Sequence, residues 1–242
     1  MGILSIGMNK KLGKEIGILN LPRVVTCPGA TLLCTTGVMI PNAKGKSVCT
    51  GKCYTDKAER TWPSCRNARQ RNYLATQDPS FSTVIIQEID ANELTQVRFH
   101  EAGDVYSQEY LDKLTEIVAK RPGVSFLMYT KSWDRFDWEK MAALPNISIY
   151  RSIDCTTDAT RTIVPPLKNR PTAYLLLPNE DKEKVVPKAG TCVFPKATLE
   201  AERLTREAAS LGKNKTFQPS HYCGTECHLC WKGKANVYFA AH

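Results

Sequence analysis

Gln96–Asp104, QVRFHEAGD, runs into Ser107–Lys120, SQEYLDKLTEIVAK, and then into Val124–Ser132, VSFLMYTKS. The first and third of these segments are short and rich in β-branched and aromatic residues, so they read as strands. The middle one places Leu111, Leu114, Ile117 and Val118 on one face at helical spacing, so it reads as an amphipathic helix, with Ser107 as a candidate cap. Strand, helix and strand within forty residues predict a right-handed βαβ crossover and therefore a parallel sheet.

The same alternation continues outward. DWEKMAALP (137–145) predicts a short helix, ISIYRSID (147–154) a third strand and TAYLLLP (172–178) a fourth. KATLEAERLTREAASLG (196–212) predicts a further helix with Leu199, Leu204 and Ala208 inward, and ANVYFAAH (235–242) a last strand. Upstream, Asp56–Leu74 predicts a helix that Pro63 breaks or kinks. The first fifty-odd residues, with Pro28, Gly29 and the Gly/Lys-rich 35–57 stretch, read as loops held between cysteines. The expected fold class is α/β, a single domain over 1–242. It divides into a cysteine-rich N-terminal segment (1–75), a β/α core (80–210) and a cysteine-rich C-terminal segment (211–242).

The predicted strand ends carry ionisable side chains. His100, Glu101 and Asp104 close the first, Lys131 and Ser132 the second, and Arg151, Ser152 and Asp154 the third. In parallel α/β sheets ligands bind beyond the carboxyl ends of the strands, so these groups are candidates for one mouth. Helix capping is the competing reading for Ser132 and Asp154.

Ten cysteines stand in 242 residues, without a charged-then-apolar leader or a run of eighteen apolar residues. The expectation is a cytoplasmic protein with no membrane span, in which clustered thiols bind metal rather than form disulfides. HYCGTECHLCW (221–231) has the spacing Cys223-x3-Cys227-x2-Cys230, and Cys27, Cys34, Cys49 and Cys53 crowd the N-terminal segment. Three thiolates leave one iron of a cluster open to a cofactor's amine and carboxylate, whereas a fourth ligand favours zinc or a closed cluster. Cys65, Cys155 and Cys192 stand alone and read as small packing residues. The net charge of +9 favours an anionic partner, nucleic acid or a nucleotide.

The blocks TCPGA (26–30), CTGKCY (49–54), RFHEAGDVYSQEY (98–110), YTKS (129–132) and ECHLCW (226–231) resemble, in order and context, the phage and plasmid family called gene product 88. The general look of that family is similar to the radical S-adenosylmethionine enzymes. That likeness implies a partial parallel β/α barrel of the TIM type, a 4Fe-4S cluster, S-adenosylmethionine as cofactor and an electron donor as partner. It implies catalytic or positioning roles for His100, Glu101, Asp104 and Lys131. Glu101 and Asp104 would hold the cofactor's amine or ribose, Lys131 and Arg151 its carboxylate, and Ser152 would help orient it. In the radical group the cysteine motif lies early, but here the early motif is Cys49-x3-Cys53-Tyr54, with Asp56 in the third thiol's place. Either Cys27 or Cys34 completes an N-terminal cluster, or the C-terminal trio is the cluster and the early thiols form a second site. The alternative to an enzyme is a zinc-stapled, basic nucleic-acid-binding module. Substrate and oligomeric state stay open.

Overall fold

The structure, a computed structural model, describes residues 2–7, 16–36, 38–41, 47–50, 53, 55–154, 157–158, 160–176, 192–193, 229–233 and 237–240. Their strands are β1 (Ser5–Ile6), β2 (Ile16–Leu19), β3 (Val38–Pro41), β4 (Ser47–Thr50), β5 (Gln96–Phe99), β6 (Ser125–Thr130), β7 (Ile147–Ile153), β8 (Thr172–Leu176), β9 (Cys192–Val193) and β10 (Val237–Ala240). The helices are α1 (Leu32–Thr35), α2 (Asp56–Thr61), α3 (Pro63–Gln77), α4 (Phe81–Ala91), α5 (Gln108–Lys120), α6 (Glu139–Ala142) and α7 (Leu229–Lys232).

Eight strands form one sheet in the order β1-β2-β5-β6-β7-β8-β10-β9, and six of them have four or more residues. Every pairing in it is parallel except β1 with β2. From β5 to β8 strands consecutive in sequence are neighbours in space, so the sheet winds in one direction without the reversal of a doubly wound fold. Among the described residues β1 and β9 are not paired with each other, and the sheet is open. β3 and β4 form a separate antiparallel hairpin.

Alternation along the strands separates two faces. Val97, Phe99, Phe126, Met128, Ile147 and Ile149 point into the main core with the apolar stripe of α5 and with Phe81, Ile85, Ile86 and Ile89 of α4. At about 25 cal/mol per Å² of apolar surface, this layer is the main driving term of folding. The other face holds Leu127, Tyr150 and Ala173, against which Tyr129, Cys230 and Trp231 pack, and Trp231 also covers Ile16 and Ile18.

The predicted β/α alternation is present, and Ser107 caps α5 by accepting the Tyr110 N–H at 3.1 Å. Pro63 does break the predicted 56–74 helix. It becomes the first residue of α3, where its missing N–H costs nothing, and Trp62 turns extended between α2 and α3. The N-terminal segment departs from the loop reading. Ile16–Leu19 is a fully buried strand of the parallel sheet, and Val38–Pro41 pairs with Ser47–Thr50 as the two strands of the hairpin. α4 is also an addition to the predicted elements. The helix predicted at 196–212 lies outside the described residues, as do Cys155, Cys223 and Cys227; for Cys49 and Cys192 only the backbone is described. No helix among the described residues is long and apolar enough to cross a membrane.

α3 is anchored by polar contacts as well as by Tyr73 and Ala75, which pack partly buried against the core. Its inward residues are Arg69, Asn72 and Thr76. Arg69 pairs with Glu59 at 2.8 Å, Asn72 donates to the carbonyls of Ile3 and Asn20 at 3.0 Å each, and Thr76 meets the Tyr106 hydroxyl at 2.7 Å. Buried polar groups that are paired in this way fix orientation more than they add stability.

Candidate functional site: a thiol-bearing edge of the parallel sheet

The loops after β2, β5, β6 and β7 meet at the carboxyl edge of the sheet. The first two are tied together: Leu21 N–H donates to the Ala102 carbonyl at 2.9 Å, and Ala102 N–H to Asn20 Oδ1 at 2.8 Å. Gly103 has φ +83°, and a Cβ there would stand 2.6 Å from Leu21 Cβ, so only glycine fits this crossing. The chain then turns through Val24, whose φ of 66° is unusual for a β-branched residue, and reaches Cys27. Gly29 lies flat on the end of β6, where a Cβ would be 2.1 Å from the Lys131 carbonyl oxygen. The sequence signal Pro28-Gly29 is thus a close approach of backbone to backbone.

This loop brings Cys27 into electrostatic range of Cys34 and Cys53. Cys53 N–H donates to the Cys34 carbonyl at 3.1 Å, Thr55 Oγ1 lies 3.2 Å from Cys53 Sγ, and Thr31 Oγ1 lies 3.4 Å from Cys34 Sγ. All three are free thiols. Burial pushes the Cys27 thiol far above its ordinary range, and the Asp104 charge and the two neighbouring thiols add to the shift. Such a thiol stays protonated at neutral pH unless a cation comes against it. Among the described residues no group of three or more His, Cys, Asp or Glu side chains is arranged to hold a metal ion. Thiolates are soft ligands that suit thiophilic metals, and the three stand on the loop after β2 (Cys27), on α1 (Cys34) and just before α2 (Cys53).

Below the thiols lies a buried polar layer. Asp154 is buried and takes Lys131 Nζ at 2.6 Å and the Thr31 hydroxyl at 2.7 Å. Thr31 therefore links the carboxylate at the end of β7 to the Cys34 loop. Asp104 is buried as well and accepts Val105 N–H at 2.7 Å, Lys131 N–H at 2.8 Å and Ser132 Oγ–H at 3.1 Å. Burial raises its pKa, and the hydrogen bonds from Thr130, Lys131, Val105 and Ser132 offset part of that rise. Arg161 donates to the Lys131 carbonyl, pairs with Asp134 and sits 4.1 Å over the Trp133 ring. It clamps the same turn from outside.

Of the sequence-predicted residues, Asp104, Lys131, Cys27, Cys34 and Cys53 come together here, and Ser132 serves Asp104 instead of capping a helix. Glu101 is partly buried in the loop after β5. Ser152 lies on the same face as Tyr150, and its carbonyl accepts Trp133 Nε1 at 3.4 Å. Arg151 alternates with Tyr150 and so leaves on the helix-bearing face, where Nη2 donates to the Arg170 carbonyl at 3.1 Å and to Thr172 Oγ1 at 2.8 Å. His100 turns inward on a left-handed backbone, φ 62°. Its Nε2 meets the Tyr110 hydroxyl at 2.8 Å, Nδ1 has no hydrogen-bond partner among the described residues, and burial with the nearby Arg98 charge holds its pKa down to about 3. Cys230 lies on the sheet face with Tyr129, Tyr150 and Leu127.

Thr31 and Arg161 were not anticipated from the sequence. Both act through partners distant in the chain, Thr31 across 123 residues and Arg161 across 27 to Asp134, and no local pattern marks them.

The described residues thus define a mixed α/β protein whose mostly parallel sheet carries, at its carboxyl edge, the Cys27 thiol and the ion pair of Lys131 with the buried Asp154. The model of the gene product 88 family matches residues 4–233, and the chain belongs to that family. No curated protein and no solved structure matches it.

Proposed function

We propose that the chain is an enzyme of the radical S-adenosylmethionine type. In this reading Cys27, Cys34 and Cys53, with Cys49 of the neighbouring hairpin as a further thiol, hold an iron–sulfur cluster over the carboxyl edge of the sheet. The observation that carries it is the convergence of three free thiols with the Lys131–Asp154 pair at the edge where parallel α/β sheets bind ligands. A cluster of this type, when bound, supplies an electron to the cofactor. The chain's own residues bind and orient. Lys131 spends one donor on Asp154 and has others for a carboxylate, while Asp104 holds the Lys131–Ser132 turn in place. Glu101, at the rim, suits the cofactor's amine, and a nucleotide or nucleic acid would be the substrate.

One observation favours a second reading. The thiol loops are already laced by the Cys53–Cys34 hydrogen bond, which is where a zinc ion would staple them without catalysis. Anaerobic purification with iron, sulfide and zinc analysis separates the two. The enzyme reading expects about four iron and four sulfide per chain, broad absorbance near roughly 400 nm, and calorimetric binding of S-adenosylmethionine. Stoichiometric zinc without iron would replace it by the stapled module, and a metal-free protein would overturn both.

A further inference from the structure

The acids of α2 point in, and of the bases on α2 and α3 only Arg69 is buried with them. Asp56 and Glu59, the two acids of α2, have side chains only 6% and 13% exposed. Arg23 pairs with both, Arg60 reaches Asp56 at 2.8 Å, and Arg69 reaches Glu59 at 2.8 Å. α3 contains no acid in its 15 residues. The residues the two helices show to solvent include Lys57, Arg60 (its side chain 69% exposed), Arg66, Asn67, Gln70 and Arg71. At the corner between them Trp62 is 56% exposed, with its own N–H bonded back to the Ala58 carbonyl and its carbonyl accepting the Arg66 N–H. The indole is thus set at a fixed junction with a cation one turn to either side.

Trp62 is a large aromatic left in water, where its burial elsewhere would be worth about 2 kcal/mol, and it stands near Lys57 and Arg66, which have no acidic partner among the described residues, and near Arg60, whose one ion pair is to Asp56. We propose that the outer face of α2 and α3 binds single-stranded nucleic acid, with Trp62 stacking on a base and Lys57, Arg60 and Arg66 meeting phosphates. Stacking plus a basic track is the combination that holds single strands without sequence preference. A duplex hides its base faces from the indole. A membrane surface would ask for a continuous apolar stripe, whereas Asn67 and Gln70 interrupt the face between Trp62 and Leu74. This surface lies on the helices rather than at the thiol edge, so the inference stands or falls separately from the cluster reading.

The test is fluorescence anisotropy of a labelled oligothymidylate with the full-length protein, followed by salt titration and tryptophan emission. Three phosphate contacts predict a slope of log K against log salt of about −2 for a single strand, and Arg66→Ala should reduce its magnitude by about 0.7. Trp133 and Trp138 are buried and Trp231 packs partly buried against the sheet, so base stacking should quench mainly the Trp62 emission, and Trp62→Phe should abolish that quenching. Trp62→Ala should weaken binding about tenfold, and Trp62→Phe should restore most of it, with unchanged thermal melts in both. Equal affinity for duplex, no quenching, or a Trp62→Ala protein that melts normally and binds as wild type would overturn the stacking site. So would anionic phospholipid vesicles binding more tightly than the oligonucleotide.

Discussion

Cys27, Cys34 and Cys53 come from a loop, from α1 and from the start of the chain into α2, yet Cys27 lies in electrostatic range of both other thiols and of Asp104. Cys230 comes from a tightly spaced motif, yet it packs as part of a wall under Tyr129 and Tyr150. Spacing along the chain brings thiols near each other only when nothing else claims them. Here the α7 helix places Cys230 and Trp231 on the sheet face, and the Trp231 carbonyl accepts the Ser148 hydroxyl at 2.7 Å, which pins the helix there. The early thiols are placed by tertiary contacts instead: the Gly29 approach to Lys131, the Cys53–Cys34 hydrogen bond and the Thr31–Asp154 bond. Cys223 and Cys227 lie outside the described residues, so the contrast is between Cys230 and the trio Cys27, Cys34 and Cys53.

The largest effect that could break this contrast is on metal content. If the proposed cluster is held at this edge, Cys27→Ala should abolish metal content in anaerobically prepared protein, because Cys27 is the thiol in electrostatic range of both others. Cys65→Ala, a change to a lone free thiol on α3, should leave the content at its wild-type value. Retention of metal by Cys27→Ala would move the centre away from this edge.

A second prediction asks whether His100 belongs to the edge or to the core. Its folded pKa is depressed to about 3, first by burial and then by the Arg98 charge. A base with a depressed folded pKa takes up protons more readily when unfolded. The stability it contributes is full above about pH 6.5 and is lost as pH falls toward about 3, at about 1.4 kcal/mol per unit. Between about pH 6.5 and 5 the loss amounts to about 2 kcal/mol, and His100→Gln should remove that part of the slope in chemical denaturation. Asp104 runs the opposite way, since its raised pKa makes its ionisation destabilising as pH rises, so the His100 share must be read as the difference between wild type and variant. An ordinary imidazole titration near pH 6.5 would put His100 at the edge, in reach of a ligand.

The legible part of the fold was the part governed by local period. β5, α5, β6, α6, β7 and β8 follow from alternation and from the α5 stripe, and Pro63 marks its boundary. β2 was read as loop because Ile16–Leu19 is buried on both faces and does not alternate, and a four-residue apolar run beside lysines and glycines carries little signal. α4 packs the β-branched residues Val84, Ile85 and Ile86 side by side, which blurs the helical period that its buried Phe81, Ile85 and Ile89 keep. In the site, the strand-end acids and Lys131 were readable as types at the right place. The inward turn of His100 and the helix-side exit of Arg151 were not, since one depends on a left-handed residue and the other on which strand residue ends the pleat.

The smallest effect sharpens the other side of the contrast. Cys230 is partly buried and packs against Leu127, Tyr150 and Ala173, where a cysteine behaves as a small apolar residue. Burial, and after it the neighbouring Cys230, raises the Tyr129 phenol well above its ordinary range, so Tyr129 meets Cys230 as a neutral phenol. Cys230→Ala removes one sulfur from that contact and should cost about 1 kcal/mol, a melting shift of a few degrees, with metal content unchanged. If metal is lost instead while the melt barely moves, the centre belongs to the C-terminal trio, and the thiols of the sheet edge are packing groups in a loop that Gly29 and Thr31 already hold in place.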